Sequence, residues 1–324
     1  MNLFLGSVSI PFKSVLKIIS GDTESVKASW NFIIMESRLP QACTALLAGS
    51  SLAVSGLMLQ TLFKNPLAGP SILGISDGAN LGVALLMLAV GTFGGSASSI
   101  GLGGYISTIL AALIGASIIL LIILFFASKV KSNVMLLIIG IMIGYLASSL
   151  ISILTYHASA DKVRQFVMWG MGDFSNVSME KLPYFSLFSL LGLLLSVLMI
   201  KPLNALLLGE NYAKNLGVNI KRSRIYILLV TGLLTAIVTA FCGPIAFIGL
   251  AVPHVARLLT GSSNHKLLVP ATIMAGGAIA LLCNILTVIP GSNEMLPLSA
   301  ITPIIGAPII IYVIVNRKHI QYFD

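Results

Sequence analysis

Long apolar stretches recur along the whole of this 324-residue chain, each close to the length that crosses a bilayer. A spanning helix needs about 20 predominantly apolar residues. Nine stretches qualify, the shortest of them interrupted by two prolines. They lie near 41–62, 75–93, 103–127, 134–157, 183–200, 225–242, 245–260, 268–289 and 299–315. The sequence therefore predicts an all-α polytopic membrane protein with about nine spanning helices.

The composition agrees with a bilayer as the solvent. Hydrophobic residues make up 57% of the chain and charged residues only 9%, whereas soluble domains carry about 25% charged residues. Such a chain cannot cover a water-exposed surface, but helices in lipid satisfy their own backbone groups. Its three cysteines lie in apolar stretches without a C-x-x-C spacing, so neither a disulfide framework nor a zinc site is indicated.

The charges are distributed unequally between the two sides of the predicted bundle. The net charge is +9, but no run of five basic residues occurs, so we expect no nucleic acid partner. When the loops are assigned alternately, one side collects 12 basic and 3 acidic residues and the other collects 7 of each. Basic loops face the cytoplasm. This predicts a cytoplasmic C-terminus, which carries Arg317 and Lys318, and an N-terminus outside.

Three segments break helices with Gly and Pro at membrane depth: NPLAGPSILGISDG, GPIAFIGLAVPH and ITPIIGAP. Irregular backbone in a bilayer is buried in protein or lines a cavity. Residues 65–76 and 243–254 resemble each other and fall on opposite sides of the membrane. We therefore expect an inverted repeat of helices with short broken helices, an arrangement that transporters use.

The chain lacks the motifs of an enzyme. No G-x-x-x-x-G-K-[ST], H-E-x-x-H or G-x-S-x-G occurs, and the four histidines share no ligand spacing. We expect no catalytic residue, no metal site and no cofactor in this chain. Asp77 is the one ionisable candidate within a helix, and it lies near a helix start, where a carboxylate also favours the dipole.

Scarce intramembrane charge indicates that energy comes from outside the chain. A permease driven by a separate motor is the favoured class. An ion-coupled secondary transporter and a structural membrane subunit are the alternatives. Uptake without an ATPase would favour the first alternative, and failure to capture an ATPase would favour the second.

The longest loop on the basic side spans 201–224 and predicts a short cytoplasmic coupling helix. Ala213 and Gly217 are four residues apart and hence on one helical face, with Glu210 and Leu216 beside them. A short helix with small residues on one face, ended by Gly, fits a partner's groove. An ordinary cytoplasmic loop is the alternative.

Four separated motifs resemble one family of transporters. They are RLPQACTALLAGSSLAVSGLMLQTLFKNPLAGPSILGISDGANLG, LLLGENYAKNLGVNIKRSR, GPIAFIGLAVPHVARLLTGSSNHKLLVPATIMAGGAIALL and ITPIIGAPIIIYVIVNR. In this order they resemble the FecCD-type permease subunits of ABC importers for iron-siderophores, haem and cobalamin. The resemblance runs from about Gly6 to Arg317, and it implies a single transmembrane permease domain over 1–324.

The resemblance also implies partners and a location. Family members sit in the bacterial cytoplasmic membrane as a homodimer or a paired permease. Two ATPase subunits, which bind ATP and Mg, attach below, and a periplasmic or lipid-anchored substrate-binding protein docks above. The family has ten spanning helices, so its first helix is expected to be absent here. Residues 1–40 are then a periplasmic segment, and a groove at the bundle edge is left for membrane lipid.

Site residues follow from positions that match the family. Asn65 and Leu67, with Ser132 and Asn133, match the cytoplasmic gate. Caps of a loop and of a helix are the alternative for the three polar residues. The ATPase-coupling segment matches at four positions: Glu210, Ala213, Leu216 and Gly217.

Docking of the binding protein is expected at Arg38. Gln41 stands where a second arginine occurs in the family, and a later periplasmic arginine is also missing, so Lys27, Lys162 and Arg164 are the expected substitutes. The implied function is import of a metal chelate by alternating access. An iron-siderophore is the first choice and haem or cobalamin the next. All three are bulky solutes that fit a path without a charge to bind them.

Overall fold

The computed structural model describes residues 2–4, 8, 10–22, 26–89, 104–130, 132–288 and 296–315. These ranges form helices and no strand, which confirms the predicted all-α class. Seven longer helices make the bundle: α3 (Leu39–Phe63), α5 (Gly104–Lys129), α6 (Asn133–His157), α8 (Leu182–Leu198), α11 (Ile220–Cys242), α13 (His265–Leu286) and α14 (Leu298–Val315). Seven shorter ones join them: α1 (Phe12–Ile19), α2 (Ala28–Phe32), α4 (Ile75–Ala84), α7 (Ala160–Gly170), α9 (Ile200–Leu207), α10 (Glu210–Asn215) and α12 (Ile248–Thr260).

The predicted spanning stretches all contain helices. Five helical segments in the described ranges are long and apolar enough to cross a membrane, the first of them running unbroken from Ala28 to Phe63. The pair α8 and α9, bent by 48°, makes a sixth if it counts as one span. The other three predicted stretches hold shorter apolar helices, at Ile75–Ala89, Ile248–Thr260 and Leu298–Val313. The count of nine therefore stays a prediction.

Helix contacts repeat in two halves. In the first half, α4 packs against α5 and α6; in the second, α12 packs against α13 and α14. The halves interlock because α3 packs on α13, α11 packs on α5, and α3 and α11 pack on each other. This pattern is the one an inverted repeat produces, with α3 to α6 matching α11 to α14.

The two broken segments meet inside the bundle. The ring of Pro70, which follows α3, lies where a Cβ on Gly249 of α12 would stand. A Cβ on Gly56 of α3 would collide with the carbonyl of Gly249, the group that Pro253 deprives of its helical donor. The break is thus buried in protein, as irregular backbone at membrane depth requires.

Phe247 starts α12 with a backbone conformation that L-residues avoid. Its φ is 67°, and the Ile248 amide donates to the Ala246 carbonyl at 2.8 Å across it, which makes a tight three-residue turn. Gly306 of α14 lies against the Phe247 ring and Cβ, so the strained residue is held by its neighbour. Because a positive φ is unfavourable at a non-glycine residue, we infer that packing maintains this break in the helix.

The bundle has two ends, which we call the α10 end and the α7 end. At the α10 end, Asn133 at the start of α6 donates to Leu62 O in the last turn of α3. At the α7 end, the Asp173 amide donates to Cys242 O, and the Ser299 amide donates to Met171 O. With 25 residues, α6 separates the two ends by about 37 Å. The expected cytoplasmic C-terminus, including Arg317 and Lys318, lies outside the described residues.

A coupling and gate cluster at one end of the bundle

The predicted coupling helix exists as α10, and its ends follow from its sequence. Gly209 precedes it with a φ of 105°, and Gly217 follows it with a φ of 82°. The Val218 amide donates to Ala213 O and the Gly217 amide to Lys214 O, both at 3.0 Å. These two bonds form the Schellman motif, which needs a left-handed residue at Gly217. The glycine that was predicted to end the helix therefore does so.

The faces of α10 differ from the expectation. Ala213 is fully buried and points into the bundle, so it does not offer a small face to a partner. Leu216 and Tyr212 are instead 58% and 53% exposed, and nothing lies within 4 Å of the position of a Cβ on Gly217. The exposed residues of α10 are therefore mostly polar, with Tyr212 within the helix and Leu216 directly after it as the exposed apolar side chains. The bulk of Ala213 matters for packing against the bundle.

Glu210 connects α10 to the residues predicted to form the gate. Its Oε1 accepts from Asn133 Nδ2 at 3.0 Å and pairs with Arg224 Nη2 of α11 at 3.3 Å. Asn133 uses its second amide hydrogen on Leu62 O at 2.9 Å, and Arg224 Nη1 donates to Val130 O at 2.9 Å. One carboxylate thus joins α10 to the ends of α3, α5, α6 and α11.

The loop after α3 carries the other predicted gate residues. Lys64 takes a left-handed conformation, and the Asn65 amide donates back to Gln60 O at 3.1 Å. The side chain of Asn65 accepts from the Leu67 amide at 3.0 Å, which caps the loop. Leu67 is left 43% exposed. Residues 64–68, which we call the gate loop, are therefore a rigid turn with an exposed leucine at its tip.

The caps weighed in the sequence analysis are present. Ser132 Oγ accepts from the Met135 amide at 3.3 Å as the N-cap of α6, and Asn65 caps the gate loop. Asn133 does more than cap, because it bonds to α3 and α10 together. The structure brings Asn133 and Glu210 into contact, which links one predicted gate residue to one predicted coupling residue.

Sequence reasoning missed a set of buried polar residues on α12 and α13. Arg257 Nη1 donates to Gln60 Oε1 at 2.7 Å, and Gln60 Nε2 donates to Leu250 O at 3.1 Å. His254 Nε2 lies 2.8 Å from Pro66 O in the gate loop, so this nitrogen carries the proton. A signal was available, because His254 and Arg257 are three residues apart and share a face of an otherwise apolar helix.

Asp77 lies in the first turn of α4. A Cβ on Gly144 of α6 would stand 2.7 Å from its Oδ2, so the carboxylate lies against the α6 backbone. This position is compatible with both interpretations of Asp77, a carboxylate that stabilises the helix dipole and an intramembrane functional group. The described residues include no cluster of His, Cys, Asp and Glu side chains that is able to hold a metal ion.

The expected docking residues lie at the α7 end and differ in accessibility. Arg38 is only 6% exposed, and its guanidinium donates to Leu3 O at 2.9 Å, to Phe4 O at 3.2 Å and to Val8 O. It therefore holds the N-terminal segment against α3. Lys27 is exposed with its Nζ 5.0 Å from the Trp30 ring centroid.

The remaining pair of docking candidates lies on α7, a helix without a buried residue. Arg164 is exposed there and Lys162 is half-buried. Two positive charges on one short surface helix are free of the backbone contacts that occupy Arg38. The geometry thus separates Arg38, whose guanidinium is buried against backbone carbonyls, from the exposed Arg164 and the half-buried Lys162.

Multiple apolar helices, helix breaks buried at depth and a short helix tied to a loop define a multi-pass membrane permease. The FecCD transport family model matches residues 1–316, and the chain belongs to that family, whose members are permease subunits of ABC importers. Such subunits translocate solute, are not enzymes, and work with separate ATP-binding subunits and a substrate-binding protein.

Two relatives are vitamin B12 import system permease proteins. That of Klebsiella pneumoniae is 36% identical over 297 residues, 91% of this chain and 86% of the relative. That of Salmonella paratyphi A is 32% identical over 317 residues, 96% of this chain and 93% of the relative. The apolar helices and the membership of a family of inner-membrane permeases show that the chain is a multi-pass membrane protein.

Solved structures agree with the fold. A metal-chelate type ABC transporter in an inward-facing conformation superposes with a TM-score of 0.81 at 31% identity, covering 98% of this chain and 94% of that one. PsaBC from Streptococcus pneumoniae superposes with a TM-score of 0.51 at 16% identity, covering 92% and 94%, which shows a shared fold only.

Proposed function

We propose that this permease carries a metal chelate inward by alternating access, with the gate loop and α10 as its moving parts. The Glu210–Asn133 hydrogen bond is the observation that carries the proposal, because it joins the coupling helix directly to the gate region. A motor that displaces α10 pulls on the start of α6 through this bond. Asn65, Leu67, Ser132 and Asn133 then form the gate, on the side we assign to the cytoplasm with the C-terminus.

The ATPase contact is proposed at the exposed surface of α10, within the coupling loop 201–224. Leu216 and Tyr212 supply apolar area, and Gly217 leaves room for a close approach. Glu210 and the buried Ala213 act inside the permease, where they fix α10 to the bundle. ATP and Mg are bound by the two partner subunits.

We propose that two copies of this single domain enclose the path. The substrate-binding protein docks at the α7 end, where Lys162 and Arg164 face outward, with Lys27 beside the N-terminal segment. Arg38 lies at the same end, where its guanidinium is occupied by the carbonyls of Leu3, Phe4 and Val8. Charges on such a surface set orientation and association rate more than affinity.

Cobalamin is the first substrate to test, because the relatives described above are vitamin B12 permeases. Ferric siderophores, which the sequence favoured, and haem are the next. The scarcity of charged residues in the apolar stretches suits a bulky chelate that is held by its binding protein. No charged residue is required to grip such a solute.

Transport by the purified importer tests this function. The permease, its ATPase subunits and its binding protein are reconstituted in liposomes, and ATP-dependent uptake of cyanocobalamin, a ferric hydroxamate and haem is compared. We expect uptake of one chelate that needs ATP and the binding protein. Uptake that persists without the ATPase subunits would overturn the proposal in favour of ion coupling, and absence of uptake for all three would exclude these three chelates.

A further inference from the structure

A second line of polar contacts joins the coupling segment to the gate loop. Asn204 lies on α9, directly before α10, and its Oδ1 accepts from the His265 backbone amide at 2.8 Å and lies 2.9 Å from His265 Nδ1. His265 Nε2 lies 2.9 Å from Thr61 Oγ1 in the last turn of α3. We call Asn204, His265 and Thr61 the relay. It connects α9, α13 and α3 through side chains.

The hydrogens in the relay have one arrangement when His265 is neutral. Asn204 Oδ1 is an acceptor, since it accepts a backbone amide, while its Nδ2 donates to Asn264 Oδ1 at 2.9 Å. An amide oxygen only accepts, so His265 Nδ1 donates to it. Nε2 of the neutral ring is then an acceptor, and the single hydroxyl hydrogen of Thr61 is shared between this nitrogen and Leu57 O, which lies 3.0 Å from Thr61 Oγ1. Each member therefore needs its own donor and acceptor pattern.

The relay is shielded from water. His265 is fully buried and Thr61 is 1% exposed. A cluster of fully buried apolar side chains from α3, α12 and α13 includes Leu57, Ala256 and Leu268, and Ile200 of α9 packs on it. A hydrogen bond lost in such surroundings leaves an unpaired polar group, which costs more than the loss of an exposed one. Movement of α9 is therefore transmitted to α3 and is not absorbed by water.

The far end of the relay reaches the gate loop. Thr61 O accepts from the Lys64 amide at 3.3 Å, so Thr61 belongs to the turn at the start of the gate loop. From the other side, His254 donates to Pro66 O at 2.8 Å. The loop is thus held by α12 and α13 as well as by its own turn. We therefore expect a displacement of His265 to displace the backbone next to Asn65.

We propose that His265 is a positioning residue that transmits movement of the coupling segment to the α3 side of the gate. Glu210 acts through Asn133, which starts α6 and also bonds to Leu62 O of α3, so the segment reaches the gate through two sets of contacts that share no side chain. This inference rests on the proposed gate and coupling segment. It adds to the proposed function that the relay acts on the α3 side of the gate.

Thr61 offers a matched pair of variants. Thr61→Val removes the hydroxyl at nearly constant volume, and Thr61→Ser keeps it. Thr272→Val on α13 is the control, because the Thr272 hydroxyl is buried without a hydrogen-bond partner in the described residues. A second variant, Asn204→Leu, removes the acceptor for His265 at a half-buried site, and it replaces Thr61→Val if that variant does not fold.

The readout is the movement of the gate in the complex with its ATPase subunits. Spin labels are placed at Leu67→Cys and Ser132→Cys after the native cysteines Cys43, Cys242 and Cys283 are replaced. The label distance is measured without nucleotide and with ATP and vanadate, beside ATP hydrolysis. We expect the difference between these two label distances to fall at least fivefold in Thr61→Val and Asn204→Leu, while ATP hydrolysis in the absence of vanadate continues. It should stay within twofold in Thr61→Ser and Thr272→Val.

The outcomes separate this inference from the proposed function. If the labelled parent shows no nucleotide-dependent distance change, the proposed gate itself fails. If the parent moves and Thr61→Val moves as far as Thr272→Val, the relay is overturned while the gate stands. If Thr61→Ser loses the movement as fully as Thr61→Val, the hydroxyl is not the transmitting group and the relay is again overturned.

Discussion

Glu210 Oε1 lies 3.0 Å from Asn133 Nδ2, so the first residue of α10 and the first residue of α6 share a hydrogen bond. These residues are 77 positions apart in the sequence. Arg224 pairs with the same oxygen at 3.3 Å, with its side chain only 7% exposed. The carboxylate therefore has two separable roles, a hydrogen-bond acceptor for Asn133 and a counter-charge for Arg224.

Replacing Glu210 tells these roles apart. Glu210→Gln keeps an acceptor oxygen for Asn133 and removes the charge, whereas Glu210→Ala removes both. Because the Glu210 side chain is 43% exposed, we expect loss of the ion pair to cost about 1 kcal/mol in unfolding free energy. ATP-driven uptake should be largely kept in Glu210→Gln and fall at least tenfold in Glu210→Ala. Thermal unfolding and proteoliposome uptake measure the two effects. Equal uptake by both variants would contradict the role of the hydrogen bond.

Leu216 is expected to contribute binding energy to the ATPase contact. Its side chain is 58% exposed on α10, and burying a leucine on a partner is worth about 1.5–3 kcal/mol. Leu216→Ala should weaken the affinity of the permease for its ATPase subunits by about tenfold without changing its unfolding temperature. Titration of the purified ATPase measures the affinity. Leu198→Ala, at a 62% exposed position on α8, is the control, and an equal loss there would contradict a specific contact.

Gly56 is required by the close approach of α3 and α12. A Cβ at this position would collide with the Gly249 carbonyl, which is backbone that cannot rotate away. We expect Gly56→Ala to lower the unfolding free energy by about 3 kcal/mol, at the upper end of overpacking effects. Gly170→Ala is the control, because nothing lies within 4 Å of its Cβ position and its φ is negative. The unfolding free energies of both variants are measured in detergent. An unchanged unfolding free energy in Gly56→Ala would contradict the packing described for the broken segments.

Local sequence patterns predicted the helices well because apolar length is a local property. The stretch 134–157 became α6 at Asn133–His157, and the motif around Gly217 became the end of α10. The similarity of residues 65–76 and 243–254 also indicated the two breaks that meet at Pro70 and Gly249.

Buried charge was not predicted, because its partners are distant in sequence. Arg224 and Arg257 were counted as loop charges in the side assignment, yet both are nearly buried in helices. Arg257 meets Gln60 across 197 positions, a pairing that no window of sequence reveals. The burial of Ala213 was not predicted for a related reason. Spacing shows that Ala213 and Gly217 share a face, but tertiary packing decides which face is buried.

Arg38 and the pair on α7 are expected to respond differently to loss of charge. Arg38 donates to Leu3, Phe4 and Val8 carbonyls, so Arg38→Gln should release the N-terminal segment to proteolysis and leave binding-protein affinity within twofold. The double variant Lys162→Glu and Arg164→Glu should slow association with the binding protein at least tenfold at low salt, and less at high salt, since exposed charges act by steering. Limited proteolysis and association kinetics at two ionic strengths measure these effects. A loss of affinity confined to Arg38→Gln would reverse the assignment, because the buried guanidinium would then be the docking group.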